Sequence, residues 1–138
     1  MKLFVAAKAV VVRPDGKILL LRESGSYDEG SKEGSWDVPG GRINPGEVVT
    51  DALIREVQEE CGLSISSSQI IEVFDHFAKI HDEDCHIVGI YFLARVLNDI
   101  VTLSSDHDAF EWVDPTNFDG KMLVSNIGIV IDKSRELI

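Results

Sequence analysis

The sequence has 138 residues, 44% of them hydrophobic, 27% charged and 7% aromatic, the balance of one globular domain able to bury a core. Thirteen Lys and Arg against twenty-four Asp and Glu leave a formal charge of −11, which removes chain-level electrostatic support for gripping a nucleic-acid polymer or an anionic membrane. A small anionic ligand would need a metal ion or a local basic pocket, and the two cysteines, Cys61 and Cys85, indicate neither a disulfide framework nor a zinc site.

The N-terminal run MKLFVAAKAVVV is interrupted by Lys8, and Arg13-Pro14-Asp15-Gly16 follows in place of a small-residue cleavage site. A strand is therefore expected there, not a secretory leader. With no apolar stretch of the roughly 18 residues that cross a bilayer, a cytoplasmic protein is expected. Phe4 to Arg13 and Lys17 to Arg22 flank Pro14-Asp15-Gly16 as two antiparallel strands of a hairpin. Glu23 to Ser35, rich in Gly, Ser and charge, reads as a mobile surface loop. In Trp36-Asp37-Val38-Pro39-Gly40-Gly41 the two glycines allow close backbone approach to a ligand.

From Glu47 to Cys61 the period becomes helical, with Leu53, Ile54, Val57 and Cys61 on one arc. Asn44-Pro45-Gly46 supplies the entry turn and Gly62 the C-terminal glycine. Ile70 to Ile80 and His86 to Val96 read as strands joined by a polar turn from His81 to Cys85, and Ala109 to Val113 as a shorter strand. Leu123, Val124, Ile127, Val130, Ile131 and Ile138 predict a C-terminal amphipathic helix whose apolar face covers the sheet.

Glu56, Glu59 and Glu60 fall at i, i+3 and i+4 of the first helix, so their carboxylates share one face. Like charges at that spacing repel by roughly 0.2–0.5 kcal/mol per pair. The arrangement calls for a cation, and an oxygen-only ligand set selects Mg²⁺, or Mn²⁺ in its place, over zinc. A solvated acidic face is the alternative on composition alone.

The run Gly41-(five residues)-Glu47-(seven residues)-Arg55-Glu56-Val57-Gln58-Glu59-Glu60-Cys61-Gly62-Leu63 resembles the complete Nudix hydrolase signature, G-x5-E-x7-R-E-U-x-E-E-x-G-U, with U aliphatic. Seven fixed positions at residue frequencies near ~6% put an accidental match on the order of one in ten million, so chance does not compete. The resemblance implies one domain spanning residues 1–138 with an α/β/α sandwich, a mixed parallel and antiparallel sheet flanked by helices. It implies Mg²⁺ held by Glu56, Glu59 and Glu60 with the backbone carbonyl near Gly40 or Gly41. Glu47 matches the glutamate that supports the loop and reaches metal through water, and Arg55 the arginine that pairs with the box carboxylates. Glu47 also reads as an N-terminal helix acid favoured by the dipole.

The implied activity is hydrolysis of the pyrophosphate bond in a nucleoside diphosphate linked to another group, with any of the box glutamates available as base. Asp106, before the Trp-bearing strand, occupies the place where many members carry a metal-binding or basic glutamate, one methylene longer. Asp108 shares that segment. Arg22 is the first candidate for a further phosphate contact. Trp36 and Trp112 are nucleobase platforms or core packing, and His76, Phe77 and Tyr91 would line the pocket if their strands face the helix. Lys79, Ile80 and His81 stand where ADP-ribose and dinucleoside-polyphosphate hydrolases carry Pro or Tyr. By elimination a nucleoside triphosphate, oxidised or otherwise noncanonical forms included, is favoured, giving monophosphate and pyrophosphate. NDP-sugar or ADP-ribose hydrolysis is the alternative. A non-catalytic nucleotide sensor and an isopentenyl diphosphate isomerase are the readings from other classes; the intact box and the placement of Cys61 and Cys85 count against them. Relatives of this kind often form homodimers.

Overall fold

The computed structural model describes residues 1–25 and 33–138. Its first strands are β1 (Lys2–Val12) and β2 (Ile18–Glu23), antiparallel at the pair Val12–Ile18. The turn between them is tied by Gly16 N–H to the Arg13 carbonyl at 2.9 Å and Arg13 N–H to the Lys17 carbonyl at 3.0 Å. Beyond the turn the two strands take different partners. β1 runs parallel to β6 (Glu83–Val96) along its whole length and antiparallel to the short β4 (Gly40–Arg42). β2 pairs with β3 (Trp36–Asp37) and β7 (His107–Val113), and β5 (Ile65–Ile80) closes the sheet against β6. The sheet is therefore mixed, in the order β3-β2-β1-β6-β5, with β4 on β1 and β7 on β2.

Strand alternation sorts the core into two layers. Ala7, Ala9 and Val11 of β1, Leu19 and Leu21 of β2, and Phe92 and Ala94 of β6 pack with Leu53, Val57 and Cys61 of helix α1 (Val49–Cys61). Their neighbours Val10, Val12, Ile18, Leu20, Tyr91 and Leu93 face the other way, against Ile127, Val130 and Ile131 of helix α2 (Ile127–Ser134). A helix on each face of one sheet is the α/β/α sandwich, and it explains why β1 is almost continuously apolar: both of its faces are covered. No helix among the described residues is long and apolar enough to cross a membrane.

Several boundaries differ from the sequence reading. Glu23 belongs to β2 and is buried at 1% exposure; its N–H donates to the Ser35 carbonyl at 2.8 Å and its carbonyl accepts from Gly34 at 2.9 Å. The expected loop is therefore narrower at both ends, and residues 26–32 lie outside the described residues. α1 starts at Val49, two residues after Glu47, because Glu47 is engaged in the preceding turn. The β5–β6 turn is His81-Asp82, both with positive φ of 51° and 61°, a tight two-residue connection that lets the strands run on to Ile80 and from Glu83. β5 begins at Ile65 through the polar, exposed Ser66–Gln69, which carry no hydrophobic alternation to read. The C-terminal helix is confined to Ile127–Ser134; Leu123 bridges to Trp36, and Asn126, at φ 71°, breaks the helical path before it.

Candidate functional site

Helix α1 presents Glu56, Glu59 and Glu60 within one turn, but the three are not equivalent. The Glu59 side chain is 59% exposed, Glu56 16% and Glu60 11%. Arg55 is the hub of the group. Its guanidinium donates to both Glu47 oxygens at 2.7 and 2.9 Å, to Glu56 at 2.9 Å, to Glu59 at 3.2 Å and to the Arg42 carbonyl at 3.0 Å. A planar five-donor fork can brace a turn, a strand end and two carboxylates at once, which an ammonium cannot. The bidentate pairing, with the Asn44 N–H donating at 3.1 Å, holds the Glu47 carboxyl at about 2. Glu47 is thus a brace between the entry turn and the helix, and stands outside α1.

Burial pushes the Glu60 carboxyl well above the ordinary range, opposed by Lys8 and reinforced by Glu56 and Asp37. Glu56 is raised as well, again by burial, with Arg55 opposing. In both acids the cost of burying the charged form outweighs the neighbouring cation.

Two glycines bring the backbone against these carboxylates. β4 lies on β1 with Gly40 opposite Lys8 and Gly41 opposite Ala7. Gly40 has φ +135°, and a Cβ there would stand 2.2 Å from the Ala7 carbonyl oxygen, so no other residue fits. Its N–H donates to Glu60 at 3.2 Å. A Cβ on Gly41 would stand 2.6 Å from Oε2 of Glu56; the missing side chain is what keeps that carboxylate in place. From the start of β7, His107 sets Nδ1 3.5 Å from the other Glu60 oxygen, and burial lowers its pKa.

β4 also borders an open cleft that encloses about 80 Å³, lined by Lys8, Asp37, Gly40, Gly41, His76 and Tyr91 among others. Lys8 is the residue that interrupts the apolar run of β1. Its Nζ meets Asp37 Oδ2 at 2.7 Å, with side-chain exposures of 14% and 7%, and Asp37 Oδ1 accepts the Val38 N–H at 2.7 Å.

The residues singled out in sequence fall into two sets. Glu47, Arg55, Glu56, Glu59, Glu60, Gly40 and Gly41 come together as described. Arg22, Trp36 and Asp106 do not line the cleft. Arg22 donates to Asp108 at 2.7 Å and its guanidinium lies 5.9 Å from the Trp36 ring, with Lys121 5.2 Å from the same ring. Trp112 sits beneath Arg13 and against the α1-side core. Asp106 contributes its carbonyl, accepting Ser24 N–H at 2.9 Å. His76 and Tyr91 line the cleft, whereas Phe77, next along β5, turns outward and stacks on His86 with centroids 4.5 Å apart. Lys8, Asp37, Arg42 and His107 join the site without having been foreseen. The charge within the apolar β1 run was the available signal for Lys8; the others depend on strand pairing.

The donor chemistry of Glu56, Glu59, Glu60 and the Gly40 carbonyl fits a hard divalent ion, as does the space beside Glu56 that a Cβ at position 41 would fill. Among the described residues no three acidic, His or Cys side chains form a finished ligand cluster: Glu56 and Glu59 lean on Arg55, and Glu60 on the Gly40 amide.

A family model described as the NUDIX domain matches residues 2–131. The chain is similar to the Nudix hydrolase YvcI of Bacillus subtilis, 29% identical over 126 residues that cover 88% of this chain and 73% of that protein. It is also similar to the nucleoside triphosphatase NudI of Escherichia fergusonii, 29% identical over 112 residues, 76% of this chain and 78% of the relative. In structure it matches a MutT protein from Methanosarcina mazei with a TM-score of 0.81 at 27% identity, covering 99% of this chain and 96% of that one.

Proposed function

The chain belongs to the Nudix family and is a Nudix hydrolase, and from that premise we propose that it cleaves a nucleoside triphosphate, oxidised or noncanonical forms included, into monophosphate and pyrophosphate with Mg²⁺. The observation that carries this reading is the cluster of box carboxylates organised by Arg55 against the Gly40-Gly41 backbone, two residues that also line the neighbouring cleft. Family members generally use a divalent metal.

In this reading Glu56, Glu59 and Glu60, with the Gly40 carbonyl, hold the ion. Once bound, it neutralises phosphate charge and lowers the pKa of a bound water. Arg55 keeps the carboxylates from scattering under mutual repulsion, and Glu47 fixes Arg55. Glu56 and Glu60, whose burial raises their proton affinity, are the candidates to take the proton from the attacking water. His107 orients Glu60 from the β7 side. Asp106, adjacent to His107, serves as an outer acidic partner of the ion. Arg22 and Trp36 act at the rim, on the phosphates and the nucleoside that extend past the cleft. Residues 1–138 work as one domain, a view supported by the two core layers that share a single sheet.

The test is pyrophosphate and phosphate release from a panel of nucleoside triphosphates, NDP-sugars and ADP-ribose with Mg²⁺, for the wild type and Glu60→Gln. Triphosphate turnover that falls at least about a hundredfold in the variant supports the proposal. Turnover restricted to ADP-ribose or NDP-sugars replaces the substrate. Nucleotide affinity without turnover of any compound would make the protein a sensor.

A further inference from the structure

The Lys8–Asp37 pair is out of place as a structural device. An ion pair buried inside a protein gives little or no stability over apolar residues of similar size, and Lys8 sits in a strand where Ala7, Ala9, Val10 and Val11 are all at 0% exposure. The pair faces the cleft. Lys8 pairs in register with Gly40, whose N–H binds Glu60, so the pair stands one strand step from the carboxylates. A diphosphate held at α1 leaves the remainder of the substrate in front of Lys8 and Asp37.

The rest of that cleft suits a flat, aromatic group. Ile80, Ile87 and Val124 supply aliphatic wall, and Tyr91 a ring; the ring lies so close to the strand that a Cβ on Gly89 would stand 2.8 Å from it. Aliphatic and aromatic walls with a few polar side chains, the Lys8–Asp37 pair together with Arg42 and His76, fit a planar heteroaromatic base better than a sugar, whose many hydroxyls need many partners.

Asp37 has acceptor capacity to spare. Oδ2 takes Lys8 and Oδ1 takes the Val38 N–H, while each carboxylate oxygen offers two lone pairs. Two parallel acceptors match two adjacent N–H donors. Among the common bases only guanine has these side by side, N1–H and N2–H; adenine sets one donor beside one acceptor, cytosine one donor beside two acceptors, and uracil has one donor between two acceptors. An ammonium neighbour also suits the guanine O6, which lies beside N1–H on that edge. Oxidation at C8 leaves both donors intact.

Resting on the nucleotide reading above, we infer that Asp37, held in place by Lys8, is the specificity-determining residue that reads the base and selects a guanine-type edge. The test is kcat/KM with Mg²⁺ for GTP, ITP, XTP and ATP, alongside calorimetric titration of the whole protein with GMP, IMP, XMP and AMP. Guanine leads in both series, and the inosine compounds, lacking N2–H, fall by about tenfold or more. Asp37→Asn replaces one acceptor by a donor and so matches the N1–H and O2 of xanthine; the guanine-to-xanthine ratio then drops by at least about a hundredfold. Equal use of all bases by the wild type, or a uniform loss across bases in Asp37→Asn, overturns the inference. The wild-type series decides it even where the variant fails to fold. Guanine-selective binding with no turnover upholds the base assignment while sinking the hydrolase reading, and turnover without base preference does the opposite.

Discussion

Gly40 and Gly41 are adjacent, yet a single methyl group will act on them through different physics. In Gly40→Ala the new Cβ meets backbone atoms of Ala7 and Lys8 at 2.2 and 2.6 Å, with φ at +135°. Neither obstacle can move without breaking the β1–β4 pairing, so the variant loses at least about 1–3 kcal/mol of stability and its Tm falls. In Gly41→Ala the obstacle is the end of a flexible side chain, the Glu56 carboxylate at 2.6 Å. The melting temperature then changes little while the Mg²⁺ concentration required for activity rises; an unchanged metal requirement would remove Glu56 from the ion's ligands. The raised carboxyl pKa values of Glu60 and Glu56 give a second prediction, whose sign follows from linkage. Below the ordinary glutamate value of 4.5 both folded and unfolded chains carry these protons. As pH climbs past it, the unfolded chain releases them first, so the metal-free fold loses stability up to the folded-state pKa. A cation that replaces the proton offsets the loss. The rise in Tm on adding Mg²⁺ is therefore larger at about pH 8 than at about pH 5, and differential scanning calorimetry at the two pH values checks it. At this scale Arg55, Glu56, Glu59 and Glu60 were legible because they follow one another on a helix with fixed spacing. Asp37 and His107 were not, since each meets its partner only after strands distant in sequence have paired.

Helix α1 couples the core to the chemistry: Leu53 and Val57 point into the sheet at 0% exposure while Glu56, Glu59 and Glu60 of the same helix carry the carboxylates. Leu53→Ala will remove packing beneath the site and cost about 2–5 kcal/mol, read as a lower denaturation midpoint, with kcat in the surviving folded fraction close to that of the wild type. A collapse of kcat at full folding would instead mean that the core holds the carboxylate geometry directly. The helix was readable almost to the residue at its C-terminal end, because Gly62 takes φ 73° and donates its N–H to the Gln58 carbonyl at 3.0 Å, which few residues other than glycine do comfortably. Its start was overrun because Glu47, a helix-favouring acid, is recruited sideways by Arg55. Strand β5 shows the converse. Ser66–Gln69 are exposed and polar; Ser67–Gln69 are held in the sheet by backbone pairing to β6 and Ser66 by its hydroxyl on the Arg95 carbonyl, and such pairing leaves no trace in side-chain pattern.

For the molecule as a whole, the sandwich was legible because each strand that carries the core alternates between two helices, and because the Nudix box names the family. What remained hidden was which edge of the sheet opens. β1 and β2 part after the Val12–Ile18 pair and admit β4, a consequence of long-range pairing among seven strands. The net charge of −11 has its own consequence at this scale. A polyanionic substrate approaches a polyanionic protein, and their long-range repulsion is screened as the Debye length contracts from about 30 Å at 0.01 M to about 10 Å at 0.1 M ionic strength. At saturating Mg²⁺ the kcat/KM for a nucleoside triphosphate will rise over that range of added monovalent salt, by roughly two- to tenfold, opposite in sign to enzymes that steer anions with a basic surface. KM will carry the effect and kcat will stay flat, because the chemistry occurs inside a contact that salt screens poorly. A kcat/KM that falls steadily with salt would mean that the field at the cleft mouth is positive despite the charge of the chain, and would shift the weight of substrate capture to Arg22, Arg42 and Lys121.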